Sequence, residues 1–223
     1  MHTALVVILS LIGGVLFLWF VVFRIVRKFR LAPASRRSVT LLSVILESPL
    51  RRRLFSPAKL LDKVGIVSGM RVLELGPGPG FFTIEAARRV NYSESPGMLY
   101  CLDIEPAMID RAKNKVTRYD LKNVVLMVGN GEWLPFKDGS LNLAYLVTVL
   151  GEIPDQSRAL KELYRVLRPG GVLSISEYLL DPDYPLRKTT IAWARQAGFE
   201  PFQEYGNFFA YVVNFRRGHA EVR

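Results

Sequence analysis

The chain has 223 residues, half of them apolar and 22% charged, with 30 Lys and Arg against 20 Asp and Glu and a formal net charge of +10. That composition excludes a disordered chain, and the lack of a repeating period excludes a collagen-like or solenoid array. The single cysteine, Cys101, excludes an intrachain disulfide and any multi-cysteine zinc site, and no metal site is expected. The length suits one domain with an appendage. The charge is unevenly placed. Residues 1–53 hold nine Lys and Arg and one acid, Glu47, for a net of +8. Residues 54–223 carry 21 basic and 19 acidic residues, a net of only +2. A nucleic-acid partner would call for cations on the folded part, so none is expected.

Met1 to Phe23 contain no formally charged side chain. As a helix this run would be about 34 Å long, enough to cross a hydrocarbon core of about 30 Å. Its only polar side chains are His2, Thr3 and Ser10, too few for the polar stripe of a water-soluble helix. Trp19 falls near one end, where an interfacial indole is expected. A cleaved signal peptide would need a positive leading region and a core of about 7–15 residues. Here no Lys or Arg precedes the run, whereas Arg24, Arg27, Lys28 and Arg30 follow it at once. The positive-inside rule places that flank in the cytosol. The sequence therefore predicts a single-pass membrane anchor at residues 1–23, with the N-terminus outside and the remaining chain cytoplasmic.

Residues 24–56 form a basic connector. Arg36 and Arg37 precede a short apolar helix candidate, Val39 to Leu46, and Arg51-Arg52-Arg53 lead into Leu54-Phe55. Cations beside large apolar residues suit an anionic bilayer surface, at about 1 kcal/mol per cation. A solvated linker fits the same residues, as does a substrate lid. Ser56 then reads as a helix N-cap, Pro57 as the first helical position, Leu60, Leu61 and Val64 as an apolar stripe, and Gly65 as the stop.

From Met70 onward strands alternate with helices. The spacing predicts strands at 71–75, 98–102, 124–127, 141–149 and 172–177, with helices at 81–90, 107–116, 156–167 and 185–197. Pro169-Gly170-Gly171 reads as a turn. Residues 199–205 and 208–215 read as a closing pair of strands, with a short tail at 218–223. Seven strands with interleaved helices imply an α/β domain with a mainly parallel sheet covered on both faces. Ligands of such sheets bind beyond the carboxyl ends of the strands, near the point where strand order reverses.

The strongest local motif is Gly76-Pro77-Gly78-Pro79-Gly80, directly after the first strand. Glycines there allow a tight turn and close approach of a ligand to the backbone. The spacing is not the G-x-G-x-x-G of dinucleotide folds, and Pro79 lacks the N–H that a phosphate cradle would use. Asp103 ends the second strand 23 residues after Gly80, where a carboxylate can accept two hydrogen bonds from a ribose diol.

The segments VLELGPGPGFFT (72–83), LDIEPAMIDRA (102–112), GNGEWLPFKDGSLNLAYLV (129–147) and LKELYRVLRPGGVLSISE (160–177) together resemble class I S-adenosylmethionine-dependent methyltransferases. The nearest branch contains quinone-biosynthesis and phospholipid methyltransferases. The resemblance covers roughly residues 57–215, within a domain placed at 57–217, and implies a Rossmann-like seven-stranded sheet. It implies S-adenosylmethionine as cofactor, with Glu74 near the methionine amine and Gly76, Gly78 and Gly80 along the methionine and ribose. Asp103 would hold the ribose hydroxyls, Ile104 and Met108 would flank the adenine, and Asn130-Gly131 would meet the adenine amino group. Leu146 would lie beneath the transferable methyl. Glu152 and Glu177 fall at rims where acceptor contacts arise. Trp133 reads as core rather than cofactor wall, and Cys101 as buried filler.

An activated sulfonium methyl needs alignment with a nucleophile and exclusion of water more than a dedicated side chain. No His lies in the domain, so a general base would have to be Glu152, Glu177, Asp155 or a Tyr. With the anchor, these features predict a membrane-tethered methyltransferase. The bilayer is its expected partner and a lipid or lipophilic small molecule its expected acceptor. A lysine or terminal-amine protein methyltransferase and a non-catalytic scaffold are the alternatives.

Overall fold

The computed structural model describes residue 6, residues 10–18, residue 21 and residues 56–91, 97–179, 181 and 183–218. Most of the expected anchor at residues 1–23, all of connector residues 24–55 and the tail residues 219–223 lie outside these. Residues 10–18 are helical with every side chain exposed. No helix among the described residues is long and apolar enough to cross a membrane.

Helix α1 (Pro57–Val64) is built as its sequence dictates. The Ser56 side chain accepts from the Lys59 N–H, and Gly65 closes the helix in the left-handed region. Its apolar stripe, Leu60, Leu61 and Val64, is buried. Full burial stabilises such side chains by roughly 1.5–3 kcal/mol each.

Then follow β1 (Arg71–Leu75), α2 (Thr83–Val90), β2 (Met98–Asp103), α3 (Pro106–Arg118), β3 (Val124–Val128) and β4 (Leu141–Val147). A short 3-10 turn (Leu150–Glu152) precedes α4 (Gln156–Val166), β5 (Leu167–Tyr178), α5 (Arg187–Gln196), β6 (Phe199–Gly206) and β7 (Ala210–Arg217). The strands form one sheet in the order β3-β2-β1-β4-β5-β7-β6. Neighbours from β3 to β5 are parallel, and β7 pairs antiparallel with β5 and β6.

The alternation of side chains along β1 divides the core. Val72 joins Leu61, Phe82, Ala87 and Tyr145 beneath α1 and α2, while Leu73 and Leu75 join Leu146, Leu160, Leu163 and Ala194 beneath α4 and α5. Strand order reverses between β1 and β4, which opens a crevice beyond their carboxyl ends.

One local expectation is modified. Pro169-Gly170-Gly171 does turn the chain, with positive φ at Gly170 and no room for a Cβ at Gly171 against the Arg168 carbonyl, but it does so within the span of β5. The ladder with β4 instead skips, from Leu141 opposite Leu167 to Leu143 opposite Val172. The extra residues are absorbed as an irregularity within the sheet, where positive φ at Gly170 is tolerated.

Candidate active site

The glycine loop after β1 is the most constrained part of the crevice. Gly76, Gly78 and Gly80 all have positive φ. At Gly76 a Cβ would collide with the Val149 side chain, so glycine is required both for the turn and for packing against the segment after β4. At Gly78 a Cβ would meet nothing within 4 Å, so that part of the loop faces open space.

Asp103 ends β2 with a half-buried carboxylate that bridges the loop and its own strand end. Oδ2 accepts from the Gly78 N–H at 3.0 Å and Oδ1 from the Glu105 N–H at 3.0 Å. Burial raises its pKa, and these backbone donors oppose the rise. Each carboxylate oxygen keeps acceptor capacity beyond its one bond. Asp103 is not the N-cap of α3, since that position is Glu105. Beside it Ile104 is 68% exposed, while Met108 lies buried on α3.

Glu74 is almost fully buried, on the face of β1 that packs under α2. Its Oε2 accepts from Thr83 Oγ1 at 2.6 Å and from Cys101 Sγ at 3.4 Å. Cys101 and Tyr145 are its register neighbours on β2 and β4. Cys101 is therefore a donor to the carboxyl as well as filler. The Tyr145 hydroxyl is buried beside the same carboxyl, without a hydrogen bond of good geometry. Burial raises the Glu74 pKa to about 7, against the opposing hydrogen bonds.

Asn130 and Gly131 open the loop between β3 and β4. The Asn130 Oδ1 already accepts from the Glu132 N–H at 2.9 Å, so only its second lone pair is open to another donor. Gly131 packs on Leu75 and Ile153. The loop is held by α4: Glu162 Oε2 accepts from the Leu134 N–H, and Arg165 donates to the carbonyls of Leu134 and Phe136 while pairing with Glu162 and Asp138. Trp133 contradicts its expected core position. It is 61% exposed, with the Arg158 guanidinium 3.1 Å from its ring centroid. Its amphipathic indole is covered by a cation instead of by apolar neighbours.

The region beyond β4 and β5 departs further from expectation. Leu146 is fully buried in the core below the sheet edge, so its side chain does not face the crevice. The edge itself is Thr148, with φ of 55°, an uncommon conformation for a β-branched residue. Its N–H donates to the Ser176 carbonyl at 2.8 Å, which ties the turn to β5. Backbone held this way costs about 1–3 kcal/mol, and such strain gathers at functional sites. Asp155 is committed as the cap of α4, accepting from the Arg158 N–H. Glu152 is exposed on the 3-10 turn.

Glu177 is not a rim residue but is 1% exposed, because both faces of β5 are covered from Leu173 through Glu177. Burial raises its pKa well above the ordinary carboxyl value, and Asp181 and Glu152 add to the rise. Sequence reading missed Asp181 and Asp183, which converge with Glu152. Their only sequence mark is two acids in an Asp-Pro-Asp run after β5, which reads as an ordinary loop.

Residues 73–175 match the family model of a methyltransferase domain. The demethylmenaquinone methyltransferase of Lactiplantibacillus plantarum is 36% identical over 134 residues, covering 60% of this chain and 55% of that one. The arsenite methyltransferase of Halobacterium salinarum is 35% identical over 117 residues, covering 52% of this chain and 29% of that one. The chain thus spans about half the length, or less, of the curated relatives it matches. Among solved structures, a SAM-dependent methyltransferase from Aquifex aeolicus superposes with a TM-score of 0.72 at 22% identity, over 82% of this chain and 99% of that one. The [4+2]-cyclase SpnF superposes with a TM-score of 0.63 at 17% identity, over 73% and 79%. Those two likenesses concern the fold alone.

Proposed function

We propose, for a chain whose residues 73–175 match the family model of a methyltransferase domain, that the protein uses S-adenosylmethionine to transfer methyl groups to a lipophilic acceptor at a membrane. The observation that carries the methyl-transfer half is the Asp103 carboxylate. It is tied to the Gly78 N–H at the strand-order reversal, beside exposed Ile104.

The residues present fit S-adenosylmethionine. Open space at Gly78, a carboxylate at the ribose position, an exposed aliphatic side chain next to it and a buried acid behind the loop match the ligand's diol, purine and ammonium groups. In this reading Gly76, Gly78 and Gly80 hold the methionine and ribose portion. Asp103 accepts from the ribose hydroxyls, Ile104 and Met108 line the adenine, and Asn130 accepts from its amino group. Glu74 places a carboxyl that titrates near pH 7 behind the loop, facing the methionine amine. The bound sulfonium supplies an activated methyl group. The chain's own residues then need to fix its direction and exclude water, which suits a domain without histidine.

Three features support the membrane half. Residues 1–23 are uncharged and followed by a basic flank. Residues 10–18 form a helical stretch whose apolar side chains Leu11, Ile12, Val15, Leu16, Phe17 and Leu18 are 50–69% exposed. At the β6–β7 turn, Phe208 and Phe209 are 59% and 66% exposed. An anchored domain in the cytoplasm with this face toward the bilayer would reach acceptors dissolved in it. The likeness to demethylmenaquinone methyltransferase supports an acceptor of quinone-like lipophilicity.

The test is incubation of membranes carrying the full chain with methyl-labelled S-adenosylmethionine, followed by separation of lipid from protein. Label in the lipid fraction supports the proposal. Label in protein favours the lysine or terminal-amine alternative, and label in neither leaves a scaffold.

A further inference from the structure

Beyond β5 the chain gathers carboxyl groups that methyl-donor binding does not use. Glu152, Asp181 and Asp183 each present a carboxylate oxygen, and these oxygens all lie within 4.8 Å of one another. Gly151 brings the two segments together. A Cβ there would collide with the Asp183 backbone carbonyl, so the 3-10 turn and the loop after β5 touch only because position 151 has no side chain. Asp181 Oδ1 also accepts from the Asp183 N–H at 2.8 Å, which orients the second acid relative to the first.

A second observation is independent of this cluster. Glu177, on β5 four residues before Asp181, has its Oε1 buried without a hydrogen-bond partner, although the Leu150 N–H approaches the same carboxyl. Asp181 and Glu152 are the charged neighbours that act on this carboxyl. A buried oxygen left without a donor costs about 1–3 kcal/mol. A cation in the cluster that carried a water toward the strand would provide that donor.

We propose that Glu152, Asp181 and Asp183 bind one hard divalent cation, of the Mg2+, Mn2+ or Ca2+ class, with Glu177 accepting from a cation-bound water beneath it. Oxygens about 2.0–2.6 Å from a shared ion lie at most about 4–5 Å apart, and the 4.8 Å spread of this cluster falls at the upper end of that range, nearest to Ca2+. An all-oxygen set without His or Cys selects hard cations over zinc or copper. The ion would sit between the 3-10 turn and the loop after β5, where its charge is offered to an anionic oxygen of an acceptor. That last role rests on the methyl-transfer reading, whereas ion binding does not.

The experiment titrates the full chain with MnCl2 and follows free Mn2+ by electron paramagnetic resonance. It is repeated on Asp181→Asn/Asp183→Asn, Glu152→Gln, Glu177→Gln and the exposed control Asp110→Asn. One Mn2+ per chain is expected, at least about tenfold weaker in the paired variant, weakened several-fold by Glu152→Gln and Glu177→Gln, and unchanged in the control. Mn2+ should also raise the melting temperature of the full chain and not that of the paired variant. Glu152 is exposed, so its variant keeps the test open if the paired one does not fold. Absence of stoichiometric binding overturns the proposal, as does binding that Glu152→Gln and the paired variant leave as strong as the control does. S-adenosylmethionine affinity measured on the same samples reports separately on the methyl-transfer reading.

Discussion

The two halves of the crevice treat their acids differently. At the β1–β2 end, Asp103 is held by two backbone N–H groups and Glu74 by Thr83 and Cys101. At the β4–β5 end, Glu177 keeps a buried oxygen without a partner, Thr148 holds a strained backbone, and three further carboxylates converge nearby. The first end is organised before a ligand arrives, as a site for one invariant molecule should be. The second carries unmet polar demand, as a site completed by its ligand should.

The largest effect is expected at Gly76. Gly76→Ala adds a Cβ into Val149 and strains a positive φ, so it should destabilise the domain by about 3 kcal/mol or more, read as a lowered melting temperature. Adding Val149→Ala should restore part of the loss. Full additivity of the two changes would mean that the loop and the β4 edge are not in fact coupled.

Glu74 gives the comparison a pH dependence. Its folded pKa of about 7 lies above the ordinary 4.5, so the folded state keeps a proton that the unfolded chain has already released between those values. Its favourable contribution is intact below about pH 4.5 and is lost as pH rises through about 7. Glu74→Gln keeps the shape and should flatten this part of the stability profile in denaturant titrations. An unchanged slope would place the titration on another group.

Smaller effects separate binding from folding. Ile104→Ala should weaken S-adenosylmethionine binding about fivefold, from lost apolar contact, without moving the melting temperature, because the side chain is exposed. Deleting residues 1–30 should leave cofactor affinity within about twofold of full length and lower turnover of vesicle-embedded acceptor. Equal turnover on vesicles would contradict the proposed membrane role of residues 1–23.

How far the sequence reports each half follows from how local its causes are. The sheet, the α1 cap and the glycine loop were legible because periodicity, Ser56-Pro57 and Gly76 act within a few residues. Asp103 was legible from its place at the end of a strand. The burial of Glu177 depends on elements far along the chain covering both faces of β5, so an apparent rim residue became a buried one. The meeting of Glu152 with Asp181 and Asp183 depends on two segments about thirty residues apart touching through Gly151, which no local pattern records. Trp133 was misplaced because its partner, Arg158, belongs to another element.

The division between the two ends is tested most directly by calorimetric titration of the full chain with S-adenosylmethionine, in wild type, Asp103→Ala and Glu177→Gln. Single-site binding should weaken at least about tenfold in Asp103→Ala, a loss of about 1.4 kcal/mol or more, and stay within about twofold in Glu177→Gln. Undiminished affinity in Asp103→Ala, or an equal loss in both variants, would contradict the account.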